Sequence, residues 1–159
     1  MDFPIRLDRK TIQDYLPHRG TALMLHEGEI LSPLSSRGSF RFTRESYPMF
    51  EGHFPGYPVV RGVDLVEAVG LTASLIIRVI PEFQGLAGLF REIVQARFKA
   101  PVVPGDTVEL SARITSTKLV GAMATGEFEG SAAVKGKTCI TLRGRFIAAP
   151  LEKMASLKR

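Results

Sequence analysis

The sequence predicts an α+β fold in which long antiparallel strands surround one buried helix. The helix is indicated by residues 62–79, where apolar side chains cover nearly every face of the helical projection. A helix of this kind is buried. The strands are indicated best by residues 108–115, where apolar and polar side chains alternate and give one buried and one exposed face. Because one flat sheet cannot cover such a helix, we expect either a strongly curved sheet or a second subunit that supplies the missing cover.

The first third of the chain predicts short elements. Thr11 is the expected N-cap of a helix over residues 12–16, which ends before Pro17. Residues 23–25 indicate a short strand, and residues 28–42 a longer one with a turn or bulge at 35–39. Residues 43–58 are rich in proline and glycine, which predicts a loop with one short helical turn.

The remainder predicts the long helix followed by strands. The helix begins at Gly62, and Pro81 lies just beyond its end. Strands are expected at 90–99, 108–115 and 121–134, with a turn at 101–106 and a hairpin turn at 135–137. On the last strand, apolar side chains share one face at Ile140, Leu142 and Phe146. The tail, 151–159, is polar and expected to be frayed.

Length and composition are those of an ordinary globular protein. With 159 residues, 45% hydrophobic and 23% charged, the chain is expected to form a single domain over 1–159, with its core at about 10–148. The N-terminus lacks the apolar segment of a signal peptide, and the longest apolar run, 69–77, is far shorter than the roughly 20 residues that span a bilayer. The single cysteine, Cys139, excludes an internal disulfide and a multi-cysteine metal site. These features favour the cytoplasm, without a membrane partner.

The net charge of +5 leaves two interpretations of the surface open. A basic surface can bind an acidic partner, or it can simply be solvated. No run of Lys and Arg exceeds two residues, and no RNA-binding or helix-turn-helix pattern is present. A nucleic-acid partner is therefore not expected.

A histidine in a constrained loop is the first candidate for chemistry. His53 lies in the segment 51–58, whose glycines and prolines restrict the backbone. A histidine held beside a buried helix can act as a base near neutral pH. The simpler interpretation is a histidine that only hydrogen-bonds a loop carbonyl.

Glu67 gives weight to the catalytic interpretation. It lies among Val66, Ala68 and Val69, where an uncompensated carboxylate is costly and needs a partner or a function. Burial should raise its pKa and the positive end of the helix should lower it, which leaves the net sign open. Asp64 competes as the acid, but the helix dipole alone favours an acid in the first turn, so we interpret it as structural.

Gly62 marks the start of the helix, where a free backbone N–H can stabilise a developing oxyanion. An ordinary first-turn glycine is the alternative. Glu67 lies about 7.5 Å further along the helix axis at 1.5 Å per residue. This spacing suits a ligand with a carbonyl at one point and a hydroxyl-bearing carbon further along.

Four motifs together resemble the 3-hydroxyacyl-acyl-carrier-protein dehydratases of fatty acid synthesis. They are Leu16-Pro17-His18-Arg19, Gly52-His53-Phe54-Pro55-Gly56, the pair Glu67-Ala68 and the eleven-residue segment 96–106. The likeness covers most of residues 10–148. The chain departs from that family at Arg61, where Pro is usual, and at Leu71, where Gln is common. These departures bear on which acyl substrate is used more than on the type of reaction. They suggest a divergent member of the family with a specialised substrate.

The resemblance implies a hot-dog fold, in which a curved antiparallel sheet wraps around a long central helix. It also implies a homodimer with two sites at its interface, commonly assembled into a trimer of dimers. In such a dimer His53 of one protomer, the base, faces Glu67 of the other, and the Gly62 N–H binds the thioester carbonyl. The sister dehydratase-isomerases usually have Asp at the position of Glu67, so simple dehydration to a trans-2-enoyl thioester is expected, in fatty acid or related polyketide biosynthesis. The reaction needs no metal or redox cofactor.

The resemblance further implies an acidic acyl carrier protein as partner, which delivers the acyl chain on a phosphopantetheine arm. The predicted substrate-binding residues are Gly62, Phe54, Val66 and Leu71. The predicted carrier-docking residues are Arg61, Arg97 and Lys99. For any single one of these, core packing or a solvated surface is the simpler interpretation.

Two other functions stay open. A hot-dog acyl thioesterase would hydrolyse the thioester, and a non-catalytic acyl-carrier-binding module would hold the chain without turnover. A serine or cysteine nucleophile is not expected, because no Gly-x-Ser-x-Gly elbow is present and Cys139 lies away from the His53 motif.

Overall fold

The computed structural model of the chain describes residues 2–154. The elements are β1 Ile5–Asp8, α1 Arg9–Tyr15, β2 Glu27–Ser32, β3 Ser35–Arg41, α2 Gly62–Ile77, β4 Leu86–Phe98, β5 Thr107–Val120, β6 Met123–Val134, β7 Lys137–Pro150 and α3 Leu151–Met154. All seven strands form one sheet in the order β1-β2-β3-β5-β6-β7-β4, and every neighbouring pair is antiparallel. The predicted α+β class with antiparallel strands is confirmed.

Helix α2 is the centre of the core. It packs against β2 to β7, so that the sheet wraps around it. Eleven of its 16 residues are buried, as the apolar pattern predicts, although Val63 at its start is 64% exposed. The sheet approaches closely at Gly130, where a Cβ atom would lie 2.6 Å from Cγ1 of Val69. Among the described residues, no helix is both long and apolar enough to span a membrane.

The alternation predicted for residues 108–115 is confirmed. Apolar side chains of β5 are buried at Val108, Leu110, Ala112 and Ile114, and the residues between them are exposed. The hairpin turn between β6 and β7 is also confirmed. Lys135 and Gly136 both have positive φ, at 48° and 78°, which suits a two-residue turn between twisted strands.

Three predictions need correction, and one strand was not predicted. Helix α1 begins at residue 9, because Asp8 rather than Thr11 is the N-cap and accepts a hydrogen bond from the Thr11 N–H. The strand predicted at 28–42 is two strands, which meet at 33–34 rather than at 35–39. Strand β1, only four residues long, was not predicted. Of the tail predicted to be frayed, 151–154 form α3, and 155–159 lie outside the described residues.

The strand predicted at residues 23–25 is wrong for a clear physical reason. These residues are buried, as their apolar side chains require, but they pair with no strand. Instead Nη1 of Arg9 donates hydrogen bonds to the carbonyls of Leu23 and Leu25, at 2.9 and 2.7 Å. A side chain thus satisfies backbone groups that a sheet would otherwise have to satisfy.

Candidate active site

The loop that carries His53 fixes the orientation of its imidazole. The loop contains the expected short helical turn, Pro48–Glu51, and the His53 N–H donates to the Met49 carbonyl at 3.0 Å. The His53 carbonyl accepts from the Val59 N–H at 2.8 Å, and Nδ1 of the ring lies 2.8 Å from the Val59 carbonyl oxygen. Since a carbonyl only accepts, Nδ1 carries the proton of the neutral imidazole, and in that tautomer Nε2 keeps its lone pair. His53 does bond a loop carbonyl, and that bond leaves Nε2 available as a base.

His53 borders an open groove that also contains the start of α2. The groove includes Gly62 and, from the opposite side, Phe98 and Lys99. Arg61 is the N-cap of α2 and Gly62 its first residue, and within residues 2–154 the Gly62 N–H has no hydrogen-bond acceptor. A Cβ atom at Gly62 would lie 2.6 Å from Cε1 of Phe98, so a larger residue at this point would have to displace the Phe98 ring. The helix start thus offers a free N–H beside the imidazole.

Three side chains hold the N-terminus of α2 in place. The Tyr47 hydroxyl donates to Asp64, and it accepts from the Arg61 N–H at 3.2 Å. The Arg61 guanidinium donates to both carboxylate oxygens of Asp64, at 2.7 and 3.1 Å. Burial, together with the neighbouring Asp64, raises the pKa of the Tyr47 hydroxyl. Asp64 therefore has structural partners, in agreement with its structural interpretation, and Arg61 already binds a carboxylate of its own chain.

Glu67 lies at a separate, largely apolar cavity of about 90 Å³. Its walls include Leu71 of α2, three aromatic rings of the sheet, Phe90, Phe128 and Phe146, and the imidazole of His18. The Glu67 side chain is 39% exposed, and Oε1 lies 3.8 Å from Nε2 of His18. Burial raises the pKa of Glu67, His18 opposes that shift, and Asp64 adds to it. The sign that the sequence left open is thus upward, which favours a carboxyl group able to donate a proton.

The two predicted acid-base residues do not share a site within one protomer. His53 borders the groove, and Glu67 lines the cavity. This separation fits an active site in which one subunit supplies His53 and the other supplies Glu67. The pairing of these two residues stays a prediction.

The predicted substrate-binding residues are distributed over both spaces. Gly62 borders the groove, Leu71 lines the cavity, and Phe54 stacks on the His53 ring with 4.1 Å between centroids. Val66 is buried in the core and lines neither space.

Two of the three predicted carrier-docking residues border the groove, and the third does not. Arg61 and Lys99 border it, and Arg97 is exposed near the end of β4.

No role was predicted for two residues that contact the candidate site residues. Tyr47 holds the start of α2 through Asp64, and His18 faces Glu67. His18 belongs to the Leu16-Pro17-His18-Arg19 motif, which carried the resemblance without any function attached to its histidine. In the described part of the chain, no group of three or more His, Cys, Asp or Glu residues could hold a metal ion.

Comparison with known proteins gives consistent results for sequence and fold. The family model of ApeI-like dehydratases, described as ApeI dehydratase, matches residues 36–137. The 3-hydroxyacyl-[acyl-carrier-protein] dehydratase FabZ of Ruminiclostridium cellulolyticum is 33% identical over 133 residues, covering 82% of this chain and 94% of that protein. The FabZ of Pelotomaculum thermopropionicum is 34% identical over 154 residues, covering 96% and 99%.

Two solved structures resemble the fold. One is the dehydratase heterocomplex ApeI:P from Xenorhabdus doucetiae, with a TM-score of 0.72, 15% identity and coverage of 92% of this chain and 95% of that one. The other is a mutant of the thioesterase PA1618 from Pseudomonas aeruginosa, with a TM-score of 0.63, 14% identity and coverage of 91% and 96%. At these identities the likeness concerns the fold alone. The hot-dog fold, with its sheet around a central helix, is confirmed.

Proposed function

The chain belongs to the ApeI-like dehydratase family, and on that premise we propose that it removes water from 3-hydroxyacyl thioesters carried on acyl carrier protein. The product is a trans-2-enoyl thioester, and the enzyme is a hydro-lyase. The observation that carries the proposal is the His53 imidazole, which is anchored through Nδ1 and keeps a free Nε2 beside the unpaired Gly62 N–H. An acid with a raised pKa, Glu67, completes the set of groups that the reaction needs.

The elimination needs one group that takes a proton and one that gives a proton. A thioester carbonyl acidifies the α-carbon, and the Gly62 N–H at the helix start stabilises the enolate oxygen that forms. Nε2 of His53 takes the α-proton as general base, and the Glu67 carboxyl gives a proton to the β-hydroxyl, which leaves as water. Passage of the proton from His53 to Glu67 restores both groups. Each proton transfer of this kind contributes about 10²–10⁴-fold to the rate.

The free edge of the sheet supports a site shared between two copies of the chain. Strand β4 is an edge strand bonded only to β7, and both of its faces carry exposed apolar side chains, with Ile93 51%, Val94 39% and Phe98 57% exposed. An exposed apolar edge of this kind favours pairing with another strand. We propose that β4 pairs with β4 of a second copy to form a homodimer, and that further assembly into a trimer of dimers follows the family.

Antiparallel pairing of the two β4 strands brings together the two spaces that one protomer keeps apart. The His53 groove adjoins the C-terminal end of β4 at Phe98, and the Glu67 cavity adjoins the N-terminal end at Gly88–Phe90. In a two-fold dimer, the C-terminal end of one β4 lies beside the N-terminal end of the other. His53 of one copy therefore approaches Glu67 of its partner, and the acyl chain extends into the apolar cavity.

The carrier protein is proposed to dock at the mouth of the groove. Lys99 borders the groove, Arg97 is exposed two residues earlier in β4, and a basic surface attracts an acidic carrier. Arg61 also borders the groove, but its guanidinium is bound to Asp64, so we expect a smaller contribution from it. A single domain over 1–159 and a cytoplasmic location also remain predictions.

The test is direct turnover with 3-hydroxyacyl thioesters, or with enoyl thioesters for the reverse hydration, followed through enoyl absorbance. His53→Ala and Glu67→Gln should each lose activity by at least about 10²-fold. His26→Gln is the matched control, because His26 stacks on Phe40 away from both spaces and should keep wild-type activity. Wild-type rates in either of the first two variants would contradict the assigned roles.

A thiol reagent in the same assay separates the alternatives. Release of free thiol without enoyl product would indicate a thioesterase. Binding of acyl carrier without any turnover would indicate a binding module.

A further inference from the structure

His18 faces the acid of the proposed active site. Its Nε2 lies 3.8 Å from Oε1 of Glu67, and the His18 side chain is 26% exposed. His18 and Glu67 are the only titratable residues that line the cavity in the described part of the chain. His18 is thus the one titratable partner that Glu67 has among the described residues of this cavity.

Two arginines brace the backbone around His18. Nη1 of Arg19 donates to the carbonyls of Leu16 and His18, both at 2.8 Å, and Nη2 donates to Gln13 at 3.0 Å. On the far side, Arg9 donates to the carbonyls of residues 20, 23 and 25. These bonds hold the loop in one conformation and so fix where the imidazole lies. They give a physical purpose to the Arg of the Leu16-Pro17-His18-Arg19 motif.

The other ring nitrogen of His18 shows which atom carries the proton. Nδ1 is buried, and within residues 2–154 it is the only buried side-chain nitrogen or oxygen without a hydrogen-bond partner. A neutral imidazole has one N–H and one acceptor nitrogen. Buried N–H groups without a partner are rarer than acceptors without one. The proton therefore belongs on Nε2, on the side of Glu67.

We propose that His18 is a positioning residue for the reaction: its Nε2–H binds one carboxyl oxygen of Glu67 and turns the other toward the β-hydroxyl of the substrate. The inference rests on the proposed function. The present 3.8 Å is longer than a hydrogen bond, and a small rotation of the carboxyl group on substrate binding closes it, as in many unliganded active sites. The nearest other charge, Asp64, lies one turn earlier on α2 and is held by Tyr47 and Arg61.

Kinetics of two variants test the role. His18→Leu removes the donor, and His18→Gln replaces it with an amide N–H; His26→Gln is the matched control. We expect kcat of His18→Leu to fall about 10- to 100-fold with KM within about twofold, as for a misplaced catalytic group. His18→Gln should recover most of the loss. Wild-type kcat in His18→Leu, or an equal loss in His18→Gln, would overturn the proposal. If His18→Leu does not fold, His18→Asn, which is too short to reach Glu67, makes the same comparison.

A titration of Glu67 tests the contact without turnover. The carboxyl carbon of Glu67 is followed by ¹³C NMR and assigned through its absence in Glu67→Gln. His18→Leu should raise the pKa of Glu67, because it removes the N–H donor that faces the charged form of the carboxyl group at 3.8 Å. An unchanged titration would refute the contact. If the wild-type chain shows no dehydration, the proposed function fails while the titration still decides whether His18 binds Glu67.

Discussion

Two inactive variants, His53→Ala and Glu67→Gln, should together regain about a quarter of the wild-type activity when their subunits are mixed. The reason is the separation of the two residues within one protomer, where His53 borders the groove and Glu67 lines the cavity. In a two-fold dimer each site takes its base from one copy and its acid from the other. Random pairing of equal amounts makes about half of the dimers mixed, and each mixed dimer has one intact and one doubly defective site.

The measurement follows enoyl formation after the purified variants are dissociated, mixed in equal amounts and reassembled. Each variant alone, treated in the same way, sets the baseline. The control is His53→Ala mixed with the double variant His53→Ala/Glu67→Gln, which can form no intact site and should stay at that baseline. Activity of the first mixture at the baseline, with mixed dimers shown to be present, would refute the shared site and with it the proposed pairing of β4.

Three further predictions concern packing and charge. Gly130→Ala should lower the free energy of unfolding by about 3 kcal/mol and Tm by about 6–12 °C, because its Cβ would meet the backbone of β5. Gly52→Ala is the control in the same thermal unfolding assay. A Cβ at Gly52 points into open space, so this variant should change Tm by less than about 2 °C. The Cβ of Gly70→Ala would lie 2.5 Å from Cε2 of Phe90 and should push that ring into the cavity. KM should then rise at least about 10-fold for long acyl chains but not for short ones. An equal change in KM at every chain length of a substrate panel would contradict this prediction. Arg6, and to a smaller extent Arg37, hold the pKa of Glu29 below its usual 4.5, against the effect of burial. The ionised Glu29 therefore stabilises the fold above pH 4.5, and this stabilisation disappears as the pH falls through the lowered pKa. Glu29→Gln should therefore lower Tm near neutral pH, with a difference from wild type that shrinks in acid.

The long elements of the fold could be predicted because their own side chains determine them. The apolar run of α2 and the alternation of β5 each specify burial over many residues, and both predictions hold. Short segments gave less reliable predictions. Residues 23–25 have the side chains of a buried strand, but their carbonyls bind Arg9, which lies in another element. The conformation of such a segment depends on a hydrogen-bond partner that tertiary folding brings to it. The local sequence pattern carries no information about that partner.

The same limit applies to the candidate site. Its proposed acid and base were selected from the sequence, because a histidine held in a constrained loop can act as a base and a glutamate in an apolar helix is costly unless it has a partner or a function. Their roles stay predictions. Their neighbours could not be selected in this way. Tyr47 reaches Asp64, and His18 reaches Glu67, across long stretches of chain whose paths only the folded sheet defines.

The two departures from the family pattern now have a physical interpretation. Arg61, where Pro is usual, closes the N-terminus of α2 by binding Asp64 and donating its backbone N–H to Tyr47, a bond that proline cannot make. Leu71, where Gln is common, adds an apolar wall to the cavity beside Glu67. Both changes alter the surroundings of the reacting groups and leave the anchored imidazole and the acid in place. We therefore expect them to act on which acyl chain is accepted and on how the helix start is held, while the two proposed proton transfers keep the groups that they need.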